Sequence, residues 1–172
     1  MERQPAPEHM PIMIRPYKPS DAAGTLAVFI SAVKETASAD YTAEQIHAWA
    51  QPDRRDVVAW NAAISVRNSV VATIGGALAG FSDVSLDGYV DMMFVSPRHQ
   101  RRGVARKLLE HLEAQARSKR TPTLSADVSI TARPFFERHG FTAEAEQHPV
   151  RAGVELTNYR MRKVLRPNEA AS

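Results

Sequence analysis

An apolar run over residues 88–95 leads into Ser96-Pro97-Arg98-His99-Gln100-Arg101-Arg102-Gly103-Val104-Ala105, after which Val104, Leu108, Leu109, Leu112 and Ala116 recur at helical spacing. A strand feeding a tight basic loop that opens a helix restricts this chain more than any other feature. Gly103 and the small Ala105 at the helix start let backbone N–H groups approach a ligand closely, and the helix dipole favours an anion there. A pyrophosphate suits such a loop, with Arg101, Arg102 and Arg106 beside it able to form charge-assisted bonds to phosphate oxygens. A solvated basic turn before an ordinary helix is the alternative when the loop is taken alone.

The elements around this loop are those of a mixed chain. Residues 12–15 read as a first strand, and Ser20 or Asp21 can cap a helix carrying Leu26, Phe29, Ile30 and Val33. Thr42 with Gln45 three positions on is a capping-box pattern for a short helix ending near Ala50, before Pro52, with Ile46 and Trp49 on one face. Residues 63–66, 70–81 and 88–95 read as an antiparallel meander. A helix over 103–119 stops before Pro122, a strand follows over 124–128, and a helix over 131–139 is closed by Gly140. Strands over 141–147 and 154–164 complete an α/β (α+β) chain without internal repeats.

With 172 residues, 44% apolar and 24% charged, the composition is that of one globular domain. We expect it to span residues 12–165, between flexible segments at 1–11 and 166–172. The absence of cysteine excludes disulfides, thiolate metal sites and a cysteine nucleophile. Six histidines fall in no paired ligand spacing, so no metal is expected. A net charge of +3 is too small for a dedicated nucleic-acid binder, and no stretch has the continuous apolar length of a signal or membrane span. The expectation is a cytoplasmic protein with neither nucleic acid nor membrane as partner.

At the basic loop the sequence resembles the GNAT superfamily of N-acetyltransferases, whose motif Q/R-x-x-G-x-G/A is matched by Gln100, Gly103 and Ala105. A second family pattern, N-x-x-A-x-x-F-Y-x-x-x-G-F, is similar to the run from Ser129 through Ala132, Phe135, Phe136, Gly140 and Phe141 at unbroken spacing. The opening Ile14-Arg15-Pro16-Tyr17-Lys18-Pro19-Ser20-Asp21 also looks like the family's first strand and helix start, as in small bacterial members. The resemblance implies a strongly bent, mixed, mainly antiparallel sheet with helices on both sides, whose fourth and fifth strands splay to admit acetyl-CoA. It further implies that Met93, Phe94 and Val95 pair with the pantetheine arm and that N–H groups from Arg101 to Arg106 hold the pyrophosphate. A strand amide near Met93 or Phe94 would face the thioester oxygen.

Acyl transfer to an amine needs a base, and Asp91, an acid in an otherwise apolar strand where the family often has a glutamate, is the candidate. It reads equally as a structural acid paired with an arginine; Asp127 is a weaker rival. Phe136 stands where many members have a tyrosine that protonates the departing thiolate, and phenylalanine donates no proton. Tyr159 can substitute or can be a packed strand aromatic. Ser129 replaces the motif's asparagine, and Arg133, one turn on, either faces the CoA phosphates or is a surface arginine. Acceptor choice in the family lies with the first two helices and the loop before the last strand, here residues 37–50 and 148–155. Tyr41 and Trp49 are candidate walls of a pocket for a small-molecule or peptide amine, with Asp40 attracting its charge, although a tryptophan such as Trp49 is more often plain core. A homodimer is possible by the same resemblance. A non-catalytic acyl-CoA-binding module, motivated by Phe136, and more remotely a nucleic-acid binder are the competing readings.

Overall fold

A computed structural model describes residues 10–166, so most of the two ends expected to be flexible lies outside the described residues. The chain starts with β1 (Ile12–Pro16) and α1 (Ala22–Ser31), which runs into a π-helical turn at Ala32–Thr36 and a 3₁₀ turn at Ala37–Ala39. Asp21 stands at the N-cap position of α1, but its side chain makes no cap bond to the helix: the carboxylate takes both Arg15 Nη1 and Nη2 at 2.8 Å and the Lys18 N–H at 2.8 Å, tying strand to helix. The capping box forms as the spacing predicts. Gln45 N–H donates to Thr42 Oγ1 (3.2 Å) and Thr42 N–H to Gln45 Oε1 (3.0 Å), opening α2 (Ala43–Ala50).

Residues 63–66, read above as strand, are instead the end of α3 (Val57–Ser65). Asp56 caps this helix by accepting the Val58 N–H at 3.1 Å, and Trp60 and Ile64, four apart, bury one face. The second correction is that residues 70–81 form a hairpin. β2 (Ser69–Ile74) and β3 (Ala77–Asp83) turn at Gly75-Gly76, whose φ values of 57° and 81° are those of a primed turn.

The third correction shapes the molecule. Residues 88–95 are two short strands, β4 (Tyr89–Val90) and β5 (Met93–Val95), with Asp91 and Met92 between them in neither ladder. β5 pairs antiparallel with β3 in a sheet of order β1-β2-β3-β5. β4 pairs in parallel with β6 (Thr123–Ser129), in a second sheet that also holds β10 (Asn158–Val164) and β7 (Thr142–Gln147), in the order β4-β6-β10-β7. One strand thus changes partner halfway, and beyond Val90 the sheet opens. The run 154–164 is likewise divided, into β9 (Val154–Glu155), hairpinned with β8 (Val150–Arg151), and β10. Between them Leu156 is drawn inward, its N–H donating to Pro149 O at 2.8 Å and its side chain packing with Ala37 and Tyr41.

Helices cover both faces, which is why all six residues of β2 are buried. Val70, Ala72 and Ile74 meet Val104, Leu108 and Leu112 of α4 (Val104–Ser118), in a core that also takes Leu124, Ala126, Val128, Met161 and Phe136 of α5 (Arg133–Arg138). Val71 and Phe81 point the other way, to Leu26, Phe29, Trp60 and Ile64. The parallel contact needs a bare backbone at Gly88: at φ 86°, a Cβ there would stand 2.0 Å from Thr123 O. Gly88→Ala is therefore expected to lower stability by roughly 2 kcal/mol or more, combining left-handed strain with a backbone clash, as read from the urea unfolding midpoint.

Candidate active site

The opening between β5 and β6 continues into a cleft of about 520 Å³. Its walls include Met93, Phe94 and Val95 on one side, Ser129, Ala132, Phe135 and Phe136 on the other, and Val33, Thr36 and Trp49 above. Backbone alternation decides which strand groups face it. Ser96 N–H donates to Ala79 O (2.8 Å) and Asp83 N–H to Met92 O (3.3 Å), so the ladder's bonding pairs include Phe94 with Phe81. The amides of Met93 and Val95 are left pointing into the gap. Phe94 instead contributes its ring, which packs edge-on against Phe29 at 5.0 Å and near Trp49 at 6.3 Å.

The basic loop closes the far end. After a 3₁₀ turn at Pro97–His99, Arg101 (φ 60°) and Gly103 (φ 83°) both take left-handed conformations. Lys107 N–H makes the first bond back to Gly103 O (3.0 Å), which leaves the N–H groups of Val104, Ala105 and Arg106 without helical partners. A Cβ placed on Gly103 would meet nothing within 4 Å, so the space above these donors is open. That concavity fits a pyrophosphate. Gln100 Nε2 donates to Thr36 Oγ1 at 2.7 Å and so ties the loop to the π-helical turn. Gln100, Arg101, Gly103, Val104, Ala105 and Arg106 line the cleft. Arg102 does not, whereas Arg138, at the end of α5 and unremarked in the sequence, does.

Two expected participants sit elsewhere. Arg133 lies over the Tyr159 ring (4.2 Å to the centroid) and pairs with Glu137 at 2.6 Å, and Tyr159 donates its hydroxyl to Glu146 at 3.2 Å. Neither lines the cleft or the smaller pocket beside it. The cause is register: Tyr159 faces Val128 and Glu146 in the middle of the second sheet, away from the gap. Phe136 is on the cleft wall but is a core residue, packed edge-on against Phe135 and Phe141.

A second cavity of about 160 Å³ adjoins the first, and Trp49, Phe94 and Ser129 line both. Tyr41 walls it and also holds it together, donating its hydroxyl to Thr157 O (2.5 Å) and accepting from Ile130 N–H (3.0 Å). Burial pushes the Tyr41 phenol above its ordinary pKa. Asp40 is not part of this wall, since its carboxylate accepts from Thr131 Oγ1 at 2.8 Å. Ser129 Oγ is engaged as the acceptor for Ala132 N–H (3.1 Å). The acids here are Asp91 and Asp127. Asp127 accepts from Tyr89 OH at 3.0 Å and lies 3.6 Å from Arg160 Nε; burial, then the Asp127 charge, push the Tyr89 phenol up to about 12. Asp91 pairs with Arg67, and its own N–H donates to Asp83 Oδ1 at 2.9 Å.

Asp83 escaped sequence reasoning, because an acid at a strand end gives no signal of its own. It is 4% exposed, lies 3.7 Å from Arg67 Nη1 and has its pKa pushed up to about 6, chiefly by burial. With Ser82 Oγ, which donates to Met92 O at 2.6 Å, it fastens the break between β4 and β5. No group of three or more His, Asp or Glu side chains suited to a metal ion occurs among the described residues, and no helix among them is long and apolar enough to cross a membrane.

A sheet parted midway, with a basic loop of open N–H groups at one end of the gap and an acid-lined pocket at the other, defines the acyl-CoA N-acyltransferase architecture. Residues 37–163 match the Acetyltransferase (GNAT) domain family. The chain is 41% identical over 151 residues to the uncharacterized N-acetyltransferase YafP of Escherichia coli K12, covering 88% of this chain and 95% of that one. The crystal structure of a GCN5-related N-acetyltransferase from Rhodopseudomonas palustris superposes with a TM-score of 0.86 at 31% identity, over 91% of this chain and 98% of that one. At 23% identity, YncA of Salmonella typhimurium, solved with its cofactor acetyl-CoA, shares the fold with a TM-score of 0.66, over 94% of this chain and 98% of that one. The protein belongs to the GNAT acetyltransferase family and is an N-acetyltransferase.

Asp83 supplies a pH signature. Its folded pKa, about 6, lies above the ordinary 3.8, so between these values the folded state holds more proton than the unfolded one. This contribution to stability is present below pH 3.8 and is lost as pH rises through about 6. Asp83→Asn, which keeps an oxygen for Asp91 N–H, is expected to remove that downward component when the unfolding free energies of wild type and variant are compared across this window.

Proposed function

We propose that the protein transfers the acetyl group of acetyl-CoA to a primary amine of a small molecule or peptide, by direct attack with both substrates bound together. The observation that carries this reading is the junction of the two cavities at Trp49, Phe94 and Ser129, where a donor in the first and an acceptor in the second would meet. Acetyl-CoA, the ligand of the YncA structure, would bring the activated thioester. The N–H groups of Val104, Ala105 and Arg106 would hold its pyrophosphate, with Arg101, Arg106 and Arg138 supplying positive charge. The exposed strand edge at Met93 and Val95 would bind the pantetheine amides, leaving one N–H to stabilise negative charge developing on the thioester oxygen.

Deprotonation of the amine falls to Asp91. Its pairing with Arg67 orients the carboxylate, and its place in the second cavity puts it beside the acceptor rather than the phosphates. Asp127, bonded to Tyr89, is close enough in the same lining to stabilise an incoming cationic amine. Tyr159, bonded to Glu146 outside the cleft, does not take the place that Phe136 leaves without a proton donor. A CoA thiol has a pKa near that of cysteine, so its thiolate can leave unprotonated.

Acetyl-CoA at about 100 times its dissociation constant is expected to add roughly 2.7 kcal/mol to wild-type stability in thermal unfolding. Gly103→Glu, with a carboxylate in the anion-binding space, should abolish that gain. In assays of thiol release with an amine panel, Asp91→Asn should lower kcat by about a hundredfold or more while keeping the acetyl-CoA stabilisation. Stabilisation of wild type without release of CoA on any amine would turn the reading towards a binding module.

A further inference from the structure

The second cavity has a charge pattern that its acids alone do not explain. Asp91 stands at the break between β4 and β5 and Asp127 on β6, while a single cationic side chain, Arg151, reaches the same lining from the β8–β9 hairpin. The arginines paired with the two acids, Arg67 and Arg160, do not line the cavity. Arg151 has no carboxylate within ion-pair distance among the described residues, and its Nη1 donates only to Val150 O, at 3.4 Å. The acids nearest in sequence, Glu146 and Glu155, are both turned to His148, at 3.4 and 3.5 Å. A guanidinium left free at a pocket's edge has its planar fork of donors available to a ligand.

The hairpin holds this residue in place. Ala152 (φ 46°) and Gly153 (φ 78°) form a primed two-residue turn, Arg151 pairs with Val154 across it, and Gln45 Nε2 of α2 donates to Glu155 O at 3.1 Å. Pro149 O accepts from Leu156 N–H at 2.8 Å on the other side. The cavity is also small, about 160 Å³ against the several hundred usual for ligand pockets, which disfavours a peptide chain.

Resting on the acetyl-transfer reading above, we propose that the acceptor is a small molecule bearing both a primary amine and a carboxylate, an amino acid or close analogue. The amine lies toward Asp91 and Asp127 and the carboxylate is bound by Arg151. Specificity then comes from a site built for two charges of opposite sign, in which an amine lacking the carboxylate leaves Arg151 without its partner.

The test pairs each amino acid with the amine that lacks its carboxylate: phenylalanine with phenethylamine, tyrosine with tyramine, and leucine with isopentylamine. Thiol release is followed at saturating acetyl-CoA. For wild type, kcat/KM should favour the carboxylate-bearing member of at least one pair by about tenfold or more, as a charge-assisted bond supplies. Arg151→Gln should bring that ratio near one by raising KM for the amino acid, with KM for acetyl-CoA unchanged; Arg151→Lys should restore part of it and Arg151→Glu should reverse it. Equal use of both members, or a preference that survives Arg151→Gln, overturns this inference and leaves acetyl transfer standing. Binding of acetyl-CoA with no release on any amine overturns the catalytic reading and this inference with it.

Discussion

Between Val90 and Met93 one strand leaves its neighbour, and the architecture of the site follows from how that departure is held. A backbone leaving a ladder must satisfy its polar groups elsewhere. Here Met92 O accepts from Asp83 N–H and Ser82 Oγ, and Asp91 N–H donates to the Asp83 carboxylate. Those bonds keep β5 on the first sheet while β4 stays on the second. Met93 and Val95 then present unpaired backbone to the gap, a sheet edge available to an amide-bearing ligand.

The same break places a buried carboxylate where it is costly. Asp83 is almost fully enclosed and has a raised pKa, so its partners only partly offset its desolvation. Arg67 serves two acids, buried Asp83 and half-exposed Asp91, and so couples the device that parts the sheet to the group proposed to take the amine's proton. Tyr41 has a comparable double role, joining Ile130 after β6 to Thr157 before β10 while its ring forms a wall. In both cases one side chain maintains the fold and shapes the cavity.

Much of the loop end of the cleft was legible from local chemistry. Gly103 with its open flank, the capping box of Thr42 and Gln45, and the helical stripe of Val104, Leu108 and Leu112 each depend on neighbours a few residues away. The errors lie where partners are distant. An apolar run such as residues 88–95 reads as one strand because periodicity carries no record of a change of neighbour. Residues 63–66 mislead for a related reason: a short apolar run at a helix end has the character of a strand, although only Ile64 of it is buried, and the deciding cap, Asp56, is seven residues upstream of Ala63. Arg133 and Tyr159 have chemistry suited to a CoA site, but strand register sets Tyr159 within the second sheet, and Arg133 at the start of α5 lies over its ring instead.

By itself the sequence determined the family, the basic glycine-opened loop ahead of α4 and the absence of a tyrosine at Phe136, since each depends on residue identity at short, unbroken spacing. Tertiary structure alone decided which acids share a cavity, which strand amides face the gap and which arginine is left free at Arg151. Those outcomes depend on register between strands far apart in the chain, and on which charges neutralise one another after folding, neither of which a linear pattern encodes.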